Sequence, residues 1–178
     1  MLFRSRELTG GVHPVFVLSG VNLGPNLGYE TLYSGTVAAA REGLMHGIPS
    51  IAFSLGVMKE VSFDQARPHL EHVLRMAMER GLPRERMLNV NIPSLEAFGP
   101  VKGYRECSIG TRVFLNKTCT WRDPLGNLHG WIGGREFTLA GDETTDCYWV
   151  QRGFVTMSLL TWNLGAASIG ELKSWEQG

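Results

Sequence analysis

No apolar run in the sequence approaches the roughly 18 residues that a membrane-spanning helix needs. The first eleven residues are polar and charged and lack the apolar stretch of a signal peptide, so a cytoplasmic protein with no membrane partner is expected. Cysteine is scarce. Cys107, Cys119 and Cys147 are odd in number and form no C-x-x-C or Cys/His zinc spacing, which leaves incidental reduced thiols. Charge of either sign is not in excess, because Lys+Arg and Asp+Glu both number 17. With no long basic or acidic run, neither a nucleic-acid duplex nor a polybasic membrane anchor is expected as a partner. There is no Walker A lysine, no G-x-G-x-x-G fingerprint, no G-x-S-x-G elbow and no internal repeat.

What the chain does have is glycine, 22 in 178 residues, well above the usual share of about 7%. Hydrophobic residues make up 43%, enough to bury a core and exclude disorder as the main state. A neutral chain of this apolarity is also a candidate for self-association. The pattern divides it into a leader at 1–13, an α/β core at 14–100, and a region at 101–178 holding hairpin arms, a last strand and a terminal helix.

Residues 14–19 (PVFVLS) form a short apolar, β-branched run, as in a strand covered on both faces of a parallel sheet. A loop of Gly, Asn and Pro follows at 20–28. Ser34 is a good N-cap, and Val37, Ala38, Ala39 and Ala40 continue into a helix that Gly47 and Pro49 stop. Residues 50–55 and 87–92 read as buried strands. Between them Ser62-Phe63-Asp64-Gln65 has capping-box spacing, while Pro68 draws the helix start closer to itself. The order β-loop-α-β-α-β predicts a parallel α/β sheet with flanking helices. Two extended arms, 104–121 and 128–139, surround a turn at 123–127 and predict a projecting antiparallel hairpin whose aromatics cover a partner subunit. Residues 154–160 read as another strand and 167–176 as a short helix.

In an open α/β sheet, ligands sit beyond the carboxyl ends of the strands. The 20–28 loop and the helix start at Ser34, Gly35 and Thr36 both belong there. Free backbone N–H groups, a helix dipole and two hydroxyls make an anion site suited to phosphate, and Asn22 and Asn26 add oxygen ligands or hydrogen bonds. His69 and His72 read as solvated helix residues, Asn89 and Asn91 as satisfied interior amides, and Asp142, Glu143 and Asp146 as a solvated acidic loop cluster. No catalytic residue is assigned.

The segments Leu18-Ser19-Gly20-Val21-Asn22-Leu23-Gly24-Pro25-Asn26-Leu27-Gly28 and Leu32-Tyr33-Ser34-Gly35-Thr36-Val37 closely resemble the SurE family of metal-dependent 5′/3′-nucleotidases. Leu88-Asn89-Val90-Asn91-Ile92-Pro93, Trp131-Ile132-Gly133-Gly134 and Gly153-Phe154-Val155-Thr156 continue the resemblance. It implies a Rossmann-like fold with a C-terminal β-hairpin extension, and a phosphatase acting on nucleoside monophosphates with Mg²⁺ or Mn²⁺. By that resemblance Asn22 matches a metal-ligating asparagine. Gly24 and Asn26 fall in the substrate loop, and Ser34, Gly35 and Thr36 match the phosphate side. A homodimer or tetramer built through the arms is also implied. The family's paired aspartates have no counterpart in Met1 to His13, which contain no aspartate, so an N-terminally truncated member is expected. The alternative is an inactive chain that keeps phosphate binding or self-association.

Overall fold

A computed structural model of the chain describes residues 10–12, 14–56, 62–114, 117–133 and 137–162. The expected 167–176 helix and most of the 1–13 leader lie outside the described residues. The centre is a five-stranded sheet. Its strands are β1 (Val17–Leu23), β2 (Ser50–Leu55), β3 (Met87–Ile92), β4 (Tyr104–Glu106) and a last strand, β9 (Val155–Leu160), in the order β1-β2-β3-β9-β4. The first three are parallel, as the sequence predicts. β9 departs from the all-parallel expectation and runs antiparallel to β3, with Asn91 opposite Thr156. The chain enters β9 beside the end of β3, so no crossover intervenes and the antiparallel direction follows.

β1 begins and ends later than the predicted 14–19, because its pairing continues past Gly20 and Val21 to Asn22↔Ser54 and Leu23↔Leu55 after a register shift. Glycine content hid this continuation. Every residue of β2 and β3 is buried, the polar Ser50, Ser54, Asn89 and Asn91 included.

Helix α1 (Gly35–Met45) covers one face of the sheet and α2 (Arg67–Arg80) the other. On the α1 face, Val37, Ala40 and Leu44 pack with Ala52 and Met87. Gly43 lets that helix come close, since a Cβ there would lie 2.5 Å from Ser50 Oγ and 2.6 Å from Val17 Cγ2. On the α2 face, Val73 and Ala77 pack with Ile51, Phe53, Leu55, Leu88, Val90 and Ile92. Burying Phe53 alone contributes about 1.5–3 kcal/mol. The start of α2 near Pro68 agrees with the sequence, but the Ser62 side chain caps nothing and Phe63–Gln65 forms a separate 3-10 turn.

A short helix α3 (Leu95–Phe98), capped by Ser94, follows β3. The arm is β5 (Thr111–Phe114) paired with β8 (Phe137–Ala140), then β6 (Lys117–Arg122) paired with β7 (Leu128–Gly133), both antiparallel. Tyr104–Glu106 pairs with β9 in the central sheet, so the arm starts later than 104. Asp123 closes the tip, its Oδ1 accepting from the N–H groups of Leu125 and Asn127, each at 2.9 Å. Trp121 stacks on His129 and is 48% exposed, and Trp131 is 66% exposed. Helix α4 (Asp146–Val150) lies between the arm and β9.

Candidate functional site

Asn26 organises the loop after β1. Its N–H donates to Asn91 Oδ1 at 2.7 Å, and its Nδ2 donates to Ser54 Oγ at 2.7 Å. Its carbonyl accepts from Asn89 Nδ2 at 3.0 Å and from Asn91 Nδ2 at 3.1 Å. Asn89 and Asn91 are two apart on β3 and therefore share a face, and Ser54 is the β2 neighbour of Asn91. The sheet thus presents a buried polar row to which the loop is fastened. The expectation of satisfied interior amides holds for Asn91 on both sides. It fails for Asn89, whose Oδ1 is buried without a partner.

Asn22 is half-buried, and its Nδ2 donates to Gly24 O at 2.7 Å while Gly24 N–H donates to Leu55 O at 2.8 Å. A 3-10 turn, Gly28–Leu32, links the loop to α1, and Thr31 Oγ1 donates to Gly28 O at 2.9 Å. Ser34 caps α1 as predicted, its Oγ accepting from Val37 N–H at 3.2 Å. A cavity of about 360 Å³ opens beside this cap, lined by Asn26, Tyr29, Glu30, Tyr33, Ser34 and Arg112. Such a volume suits a small ligand. Of the residues chosen from sequence, Asn26 and Ser34 line it. Asn22, Gly24, Gly35 and Thr36 do not, although Gly35 and Thr36 form the first turn of α1 next to it.

Arg112 is the residue that sequence reasoning missed here. From β5 it donates through Nη1 to Pro25 O at 3.1 Å and to Glu30 Oε2 at 2.6 Å. Burial lifts the Glu30 carboxyl above its ordinary range, against the downward pull of Arg112. A lone arginine 82 residues from its partner carries no local signal.

Asp146 was also missed, because the solvated-cluster expectation fails for it. Asp142 is exposed and accepts from Thr144, but Asp146 is fully buried. Its Oδ2 accepts from Gly28 N–H at 3.0 Å, and its Oδ1 accepts from Gly110 N–H at 2.8 Å and Cys147 N–H at 2.7 Å. His69 and His72 are likewise not simply solvated. Tyr104 OH lies 2.9 Å from His69 Nδ1, and the His72 ring is 4.5 Å from the Tyr104 ring. Burial, with His72 nearby, lowers the His69 pKa.

A model of the Survival protein SurE family matches residues 4–116. The chain belongs to the SurE family. A relative from Aquifex aeolicus, named 5′-nucleotidase SurE, is 37% identical over 147 residues, covering 83% of this SurE chain and 58% of the relative. One of the same name from Geobacter sulfurreducens is 40% identical over 168 residues, covering 92% of this chain and 63% of the relative. This SurE chain therefore spans less than two thirds of the length of these curated relatives. The crystal structure of Sure protein from Aquifex aeolicus superposes with a TM-score of 0.79 at 32% identity, over 99% of this chain and 71% of that one. The Rossmann-like α/β assignment stands on that match.

The metal that the family implies can be tested against the donors present. Among the described residues no group of three or more His, Cys, Asp or Glu could hold an ion. Asn22 offers one amide oxygen, and its nitrogen is committed to Gly24. A hard divalent cation needs about six oxygen ligands with carboxylates among them, so these residues do not fit one.

Proposed function

We propose that this chain forms the substrate side of a nucleotidase, which hydrolyses nucleoside 5′- and 3′-monophosphates to nucleoside and phosphate. The observation that carries this is the cavity where Ser34, the N-terminus of α1 and Arg112 meet. Backbone N–H groups and the helix dipole favour an anion there, and the guanidinium can hold phosphate oxygens in a bidentate way. Gly35 and Thr36 contribute the first-turn N–H groups, while Gly24 and Asn26 shape the loop against the ligand. Mg²⁺ or Mn²⁺ is the family's expected cofactor; of the ligands the resemblance implies only Asn22 has a counterpart in this chain, and alone it does not hold the cation. The names of the relatives, 5′-nucleotidase SurE, support the reaction class.

A second reading, binding without turnover by the 178-residue chain, is favoured by the donor set, which does not fit a divalent cation among the described residues. The test is phosphate release from nucleoside monophosphates with Mg²⁺ and with Mn²⁺, run beside calorimetric titration with inorganic phosphate. Phosphate binding with turnover below about 1 per second is expected. Faster turnover would show that other residues complete the metal site. No phosphate binding would sink the assignment of the cavity.

The exposed Trp121, Leu125, Leu128 and Trp131 of the arm support self-association as a homodimer or tetramer. Free thiols at Cys107, Cys119 and Cys147 agree with a reducing, cytoplasmic setting. Among the described residues no helix is long and apolar enough to cross a membrane.

A further inference from the structure

The Asp146 carboxylate joins three segments distant in sequence. Gly28 ends the cavity loop, Gly110 stands at the base of the arm, and Cys147 follows Asp146 at the start of α4. Of the three N–H donors on this fully buried carboxylate, only Cys147 belongs to the five-residue helix that Asp146 opens. The approach it maintains is close. Gly28 has φ +54, and a Cβ on it would lie 2.7 Å from Gly110 O and 2.9 Å from Arg112 N. Arg112, two residues beyond Gly110, enters the cavity and holds Pro25 O from the other side. Loop and arm base therefore meet at one carboxylate and one guanidinium. Only the guanidinium lines the cavity.

We propose that Asp146 is a positioning residue for the cavity. Its carboxylate locks Gly28 to Gly110, fixing Asn26 and the 3-10 turn relative to Arg112. The ligand class is that of the proposed function, a phosphomonoester, and the inference rests on that reading for its effect on binding. The latch itself does not. Asp146→Asn keeps the shape but turns one acceptor into an NH₂ group that faces N–H donors. Charge-assisted bonds lost in this way correspond to about 10-fold or more in an equilibrium.

The experiment combines amide hydrogen exchange with inorganic phosphate titration, on wild type and on D146N well below its unfolding temperature. Exchange at Gly28 and Gly110 should accelerate together by about 10-fold or more, while amides of β2 and β3 keep their protection, and phosphate affinity should fall by about 10-fold. A uniform rise that includes β3, with phosphate affinity unchanged, would reduce Asp146 to general support and overturn the proposal. If wild type binds no phosphate, the functional reading fails, and the exchange pattern still decides the latch. Should D146N not fold, wild type alone gives the answer. Gly28 and Gly110 amides protected to a similar degree would uphold the latch, and free-loop exchange at Gly28 would end it.

Discussion

The two faces of the central sheet are built from the same strands, yet they carry different chemistry. Toward α2, Ile51, Phe53, Leu55, Leu88, Val90 and Ile92 form a continuous apolar layer. Toward α1, the alternate positions read Ser50, Ala52 and Ser54 on β2, and Met87, Asn89 and Asn91 on β3. Thr156 and Ser158, opposite Asn91 and Asn89 on β9, extend the same polar row. α1 covers the apolar part of this face through Ala52 and Met87, and the Asn26 loop bonds Ser54, Asn89 and Asn91. The buried hydroxyls of Thr156 and Ser158 have no partner among the described residues. One face holds the protein together, and the other holds a loop in place. Burying amides and hydroxyls is unfavourable unless they are bonded, so a polar row inside a sheet marks a position where something must be aligned rather than merely packed.

The sharpest way to separate the faces is to empty one of them. Phe53→Ala on the α2 side removes a ring that is 2% exposed, and should cost about 3–5 kcal/mol in denaturant unfolding. Phosphate binding by the protein that remains folded should change little, since Phe53 lies on the face away from the cavity loop. A loss below about 1 kcal/mol would mean that this layer is not the stabilising one.

Much of this contrast was legible beforehand. Runs such as SIAFSL and MLNVNI announced buried strands, and Ser34 announced its helix, because each signal is local. Asn89 and Asn91, two apart on one strand, share a face by periodicity, but that Ser54 joins them follows only from the pairing of β2 with β3. Partners that depend on tertiary placement were not legible. Arg112 and Asp146 act on Glu30 and Gly28 across 82 and 118 residues, and nothing in their own neighbourhoods distinguishes them from surface charges. The antiparallel entry of β9 was hidden for the same reason, because strand direction depends on where the preceding chain lies and not on composition.

On the polar face, Asn91→Leu keeps the volume close and removes both bonds to Asn26. The Asn26 N–H loses its side-chain acceptor, while its carbonyl keeps only the Asn89 amide. The expected cost is about 1–3 kcal/mol, smaller than for Phe53→Ala. Its second consequence sets the faces apart: the loop should detach, with faster proteolysis near Gly24–Gly28 and weaker phosphate binding. If Asn91→Leu lowered stability as much as Phe53→Ala and left the loop protected, the polar row would be ordinary core and the division between faces would collapse.

Ser54→Ala is the mildest probe, because it deletes only the acceptor for Asn26 Nδ2 at 2.7 Å and leaves the backbone pairing of Asn26 with Asn89 and Asn91 intact. Ser54 is fully buried, so water cannot simply take its place, and the orphaned amide hydrogen gives a cost of about 1 kcal/mol. The double variant with Asn91→Leu then measures how far the row acts as a unit. Once Asn91 no longer holds the Asn26 backbone, the amide is free to turn toward solvent, and the Ser54 hydroxyl loses its role. The combined loss should therefore fall short of the sum of the two single losses by about 0.5 kcal/mol or more, the range found for residues in one network. Strict additivity in the unfolding free energies would show that Ser54 and Asn91 hold Asn26 independently, and that the polar face is a set of separate contacts instead of one alignment device.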